Sequence, residues 1–123
     1  MADYRIDVYE DGEDLTGRAV LAVTAKRFLK ISGDRQGVIA VAPADDGGRV
    51  CGVAKVDAPI GAVVAIARGN ARVVHVTASG LLTAFDEVQV GAAGQAVTKS
   101  TGTAVGYVLT GAAAGTDAEV SLY

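Results

Sequence analysis

The sequence predicts a mainly β fold: a single small antiparallel β-barrel or sandwich with an extended N-terminal arm and little helix. Short runs of β-branched residues recur about every ten positions along the 123 residues. Clusters of Gly, Asp, Asn and Ser separate the runs and supply turn chemistry. Strands this short at this spacing suit a barrel or sandwich, not a βαβ fold.

The first candidate strand is 4–9, where Tyr4, Ile6 and Val8 alternate with Arg5 and Asp7. Next comes 19–24. Leu15, Ala19 and Ala22 would also line one face of a helix there, but Val20, Val23 and Thr24 favour strand. Candidate strands follow at 28–31, 38–42, 50–56, 63–67, 72–77, 87–90, 95–98, 104–109 and 119–122. Between them lie the turn signals Asp11-Gly12, Ser32-Gly33-Asp34, Asp46-Gly47-Gly48, Arg68-Gly69-Asn70, Ser79-Gly80 and Ala92-Ala93-Gly94.

Two stretches look alike. Gly52 to Gly61 and Gly106 to Gly115 each read as a strand, then an Ala-rich connection closing on a glycine, then a return strand. Either a supersecondary unit is duplicated, or Gly/Ala-rich sequence is matching itself.

Composition bounds the rest. The 23 alanines, 19 valines and 16 glycines make nearly half of the chain, against two Phe, four Tyr and no Trp. Small side chains bury little area each, so a lone monomer has a thin core. One Cys and one His supply neither an internal disulfide nor a four-ligand zinc site. The net charge is −3, unevenly spread: residues 1–14 hold six acids against Arg5 alone, and the remainder is slightly basic. This divides the chain into an acidic arm, 1–14, and a β-rich domain, 15–123. The bases are scattered and aromatics are few, which speaks against nucleic acid. The apolar run at 60–67 is too short to span a bilayer, and no secretory signal is expected. The protein is expected to be made in a cytosol.

The residues offer no catalytic constellation, so no enzyme, metal or cofactor is expected. His75 lies in the alternating run 72–77 and reads as a strand histidine. Cys51 reads as a small buried hydrophobe. Asp45-Asp46 and Asp86-Glu87 are adjacent, so each pair points to opposite faces of a strand. Asp11-Gly12-Glu13-Asp14 lacks the ligand spacing of a calcium loop. Lys99 would sit at a hairpin tip, as a lipoyl or biotinyl lysine does, without the flanking pattern of carrier domains.

The ordered small residues do carry a resemblance. Val50-Cys51-Gly52-Val53-Ala54 with Asp57-Ala58-Pro59-Ile60-Gly61 is one part of it. Ala78-Ser79-Gly80-Leu81-Leu82-Thr83-Ala84 with Asp86-Glu87-Val88 and Gly94-Gln95-Ala96-Val97 is another. The closing Ala104-Val105-Gly106-Tyr107-Val108, Ala112-Ala113-Ala114-Gly115 and Glu119-Val120-Ser121-Leu122 complete it. Together, and with the opening at Tyr9 to Thr16, they resemble the capsid cement, or head decoration, proteins of tailed bacteriophages. Two departures stand out: Phe85 occupies a place where that family has glycine, and residues 33–49 make a longer, more polar connection.

The resemblance implies a structural protein on the outer surface of a phage head. It would bind the major capsid protein as a homotrimer after the shell expands and reinforce the shell. The arm would make the contact: Tyr4, Ile6 and Val8 by adding a strand to an exposed edge, and Glu10, Asp11, Glu13 and Asp14 by docking on basic surface. Tyr9, Phe28, Phe85 and Tyr107 are expected in the core or the trimer interface. Two other readings remain: a small β-barrel binding or carrier module of a bacterial complex, and another virion part such as a tail-tube or head-fibre subunit.

Overall fold

A computed structural model describes Val8, residues 12–35 and residues 37–123. The described residues form ten strands: β1 Leu15–Ala19, β2 Phe28–Ile31, β3 Ile39–Pro43, β4 Gly52–Ala54, β5 Val63–Ala67, β6 Val73–Thr77, β7 Glu87–Val90, β8 Ala96–Thr98, β9 Gly106–Thr110 and β10 Asp117–Leu122. Helical structure among the described residues is one 3₁₀ turn, Ala92–Gly94. The mainly β fold expected from the sequence is what forms, and strands 28–31, 63–67 and 87–90 have the expected bounds.

The strand expected at 19–24 is displaced. It runs instead over Leu15–Ala19, with Leu15, Gly17 and Ala19 inward and Thr16 and Arg18 outward. Beyond it, Val23 makes only an isolated bridge to Ala58. The chain then reverses at Lys26, which holds a left-handed φ of 63°. The helix-like spacing of Leu15, Ala19 and Ala22 joins an inward strand face to a loop. The strand expected at 4–9 lies outside the described residues, apart from Val8, which is exposed.

The first five strands close into a barrel in the order β1-β3-β2-β4-β5. Its closing pair, β1 with β3, is parallel, so the barrel is not wholly antiparallel. The other five form a sheet in the order β6-β10-β9-β7-β8, whose outer strands approach through a single parallel bridge, Ala78 to Ala96.

These two orders are one topology written twice. Equivalent backbone bonds fix the correspondence. Ala19 N–H donates to Ala62 and Ala78 N–H to Thr116; Gly61 N–H donates to Ala19 and Gly115 N–H to Ala78. Lys26 N–H donates to Ala54 and Phe85 N–H to Val108. The bridges Val23–Ala58 and Leu82–Ala112 match, as do the pairs Phe28–Val53 and Glu87–Tyr107. A Cβ on Gly52 would collide with the Ala67 carbonyl, and one on Gly106 with that of Ser121. The likeness between residues 52–61 and 106–115 is therefore a duplicated five-stranded unit, here called the first and second barrels.

Each barrel has its own core. Leu15, Val23, Leu29, Val41, Val64 and Ile66 fill the first. Val76, Leu82, Val88, Val90, Val108, Val120 and Leu122 fill the second. Phe28, Ala44 and Val53 belong to the first barrel by sequence but to the second core by packing. They join the two units into one apolar body. The expected thinness is real: Phe28 is the only aromatic among the buried core residues described.

Candidate interaction surface

The outward face of the second barrel gathers three of the aromatic side chains. Phe85 stands at the turn before β7, 82% exposed, with φ at 73°. Its ring meets Tyr107 of β9 edge-on, centroids 5.6 Å apart, and Tyr107 meets Tyr123 at 6.2 Å. The Tyr123 hydroxyl donates to Glu87 Oε2 at 2.7 Å, which pushes the phenol pKa above its ordinary value. Leu109, further along β9 at the irregular step of the β9–β10 ladder, is also exposed. Asp86 and Glu87 border it with negative charge.

Of the described residues expected in core or interface, Phe28 alone is core, fully buried. Phe85 is not, and Tyr107 is half-buried. Tyr9 lies outside the described residues. Tyr123 was missed, although its spacing from Ser121 and Glu119 puts it on the same strand face as the partners of Tyr107 and Thr110.

The acidic arm is described only in part. Tyr4, Ile6, Glu10 and Asp11 lie outside the described residues; Glu13 is exposed. Asp14 faces its own chain. Its Oδ2 accepts from Lys55 and its Oδ1 pairs with Arg72, both at 2.7 Å, and these two cations hold its carboxyl below the usual range. This cluster ties the start of β1 to the end of β4 and to the connector between barrels.

Open grooves mark the described surface. One of about 380 Å³ crosses the β1–β3 seam of the first barrel, lined by Arg18, Val20, Ser32, Val38 and Ala40 among others. A second, about 370 Å³, lies beside Lys30, Asp45 and Cys51; a third, about 520 Å³, beside Gly12, Arg68 and Arg72. Cys51 is half-buried, and burial pushes its thiol up to about 11. No three His, Cys, Asp or Glu side chains converge among the described residues. His75 is exposed on β6 opposite Glu119. Lys99 is not at a hairpin tip: β8 and β9 each pair with β7, not with one another. The loop between them is pinned by buried Gln89, whose Oε1 accepts from Ser100 N–H at 2.8 Å and Gly102 N–H at 2.9 Å.

No protein-family model and no curated protein matches the chain. Among solved structures, it superposes on the N base of head fiber gp8.5 of bacteriophage phi29 with a TM-score of 0.78. The match spans 89% of this chain and 92% of that one, at 23% identity. The fold is that of a phage head-fiber base. It includes both barrels, since neither alone could supply that coverage. Among the described residues, no helix is long and apolar enough to cross a membrane.

Proposed function

We propose that the chain is a structural, non-catalytic protein of a phage head, seated on the outer surface of the capsid. There it binds the major capsid protein as a homotrimer and reinforces the shell. The fold shared with a head-fiber base over nearly the whole of both chains is the observation that carries this reading. The physical chemistry is consistent with it. A core of small side chains gains from apolar area buried between copies, and three linked contacts with a shell bind more tightly than one. The acidic arm is the proposed capsid contact.

Deleting residues 1–12 tests this. The truncated protein is expected to keep its thermal midpoint, because the described core begins at Leu15, and to lose co-sedimentation with purified heads. Unchanged co-sedimentation would exclude the arm. Failure of the full chain to bind heads would exclude the capsid role altogether. The same neighbour favours a second reading, in which the chain is the base on which a longer fibre stands. Electron cryo-microscopy of the particle separates the two, by whether density continues outward from the barrels.

A further inference from the structure

The duplicated barrels meet through surfaces that are not the same on the two sides. The first barrel presents its Lys26–Phe28 turn with Val53 beneath. Against the second barrel, the Lys26 carbonyl accepts from Thr77 N–H at 2.9 Å, Lys26 Nζ pairs with Asp117 at 2.8 Å, and Arg27 Nη1 donates to Ala93 at 3.3 Å. Phe28 and Val53 are sealed by this contact. The packing is thus head to tail, one barrel's turn face against the next barrel's β6–β10 side.

By the correspondence of the repeat, each barrel owns both surfaces, and one of each is left uncovered by the described residues. The second barrel's turn face carries Phe85 in place of Lys26, with the pair Glu87–Tyr107 in place of Phe28–Val53. The first barrel's receiving side carries Arg18 in place of Thr77 and Val63 in place of Asp117. The covered contact joins an ion pair to buried Phe28 and Val53, and the uncovered surfaces carry exposed apolar side chains with charged Glu87 and Arg18 among them. Phe85 is 82% exposed, Val63 55% and Val20 40%. The 380 Å³ groove with Arg18 and Val20 lies beside Val63, which pairs with Arg18 across β1 and β5. Acidic Asp86 and Glu87 border one surface, and both Arg18 and Asp34 line the other, where Arg18 donates to the Gly61 carbonyl at 2.8 Å. Because three parallel pairs close the β1–β3 seam, an incoming turn would lie across this groove and not enter the barrel.

We propose that the Phe85–Tyr107 face of the second barrel docks over the β1–β3 groove of the first barrel of a second copy, continuing between chains the head-to-tail packing made within one. Such a heterologous contact closes into a ring when the rotation returns to its start. It rests on the proposed homotrimer, whose three copies would alternate first and second barrels around that ring. The Lys26–Asp117 ion pair would be replaced between copies by Phe85 against Val63.

The test uses full-length chains in a Cys51→Ala background, one carrying Phe85→Cys and the other Val63→Cys, treated with a short bis-maleimide at high protein concentration. Linked dimer is expected as the dominant product of the mixture, with little from either chain alone. Light scattering is expected to show Phe85→Asp reduced to the single-chain 12.3 kDa, with the β-rich circular dichroism of the parent retained. Phe85→Cys chains linking to one another would mean face-to-face pairing and overturn the proposal, as would absence of the mixed product. The cross-link reports contact between copies whether or not the protein binds a head, so its failure is distinct from failure of the capsid role.

Discussion

Phe85 combines two costs that a sequence usually avoids. It exposes a large aromatic ring, and it holds a left-handed backbone that side chains other than glycine, asparagine and aspartate disfavour by about 1–2 kcal/mol. Within the chain it recovers only an edge-on contact with Tyr107, worth about 0.5–1.5 kcal/mol. The two terms nearly cancel. Phe85→Asn is therefore expected to leave the thermal midpoint within a few degrees of the parent when both are melted dilute enough to be single chains. A large loss of stability would show that the ring supports the fold. The resembled phage proteins carry glycine at this place, and the backbone explains why: the turn requires positive φ in either case. Lys26 makes the same turn in the first barrel at 63°.

Strands β4 and β9 each begin on a glycine pressed against a carbonyl of the neighbouring strand. Gly106→Ala forces a backbone shift in β9 or β10 and is expected to cost about 1–3 kcal/mol in denaturant unfolding. Gly52→Ala should cost a similar amount by the same contact. Polar ties between elements make stability depend on acid. Lys55 and Arg72 lower the pKa of Asp14, and Lys26 and the Thr77 hydroxyl lower that of Asp117. Both carboxylates therefore add stability above the ordinary value of 3.8, and that contribution is lost as pH falls below it. Urea midpoints measured near neutrality and near pH 3 should fall less for Asp14→Asn than for the parent. Equal falls would show that the cluster contributes nothing measurable.

For the whole molecule, the shared residues decide how the two barrels unfold. Phe28 and Val53 are positioned by first-barrel strands yet complete the second core. Phe28→Ala is expected to cost about 3–5 kcal/mol and to shift one cooperative transition, not to uncouple two. Two resolved heat-absorption peaks would contradict this. The same residues explain how much of the architecture was readable in the sequence. The repeat showed between 52–61 and 106–115 because Gly52, Ala58 and Gly61 meet the same steric demands as Gly106, Ala112 and Gly115. It did not show between 28–31 and 87–90, because Phe28 faces another barrel where Glu87 faces water. Identical backbone with different surroundings selects different chemistry. The proposed contact surface was half visible: Phe85 and Tyr107 drew notice as rare aromatics, whereas Val63 and Arg18 look ordinary until the repeat sets them at positions equivalent to Asp117 and Thr77.

Duplication also bears on how the chain reaches this structure. Two units of one topology, joined by only a few residues, offer each strand a wrong partner with nearly the right register: β5 could close the second unit and β10 the first. Such hybrid closures are characteristic kinetic traps of repeated sequence. Here the halves differ in the features that complete a closure. The first seam has three parallel pairs, the second a single bridge, and β10 alone carries a register shift between Glu119 and Val120. A β5 strand in the second unit would leave Lys26 facing Val63 and lose the Lys26–Asp117 ion pair, whereas Asp117 of a β10 strand in the first unit would meet Arg18 favourably, so charge opposes only one of the two exchanges. Divergence between the repeats thus gives the two closures seams of different length and makes one of the exchanges forfeit an ion pair.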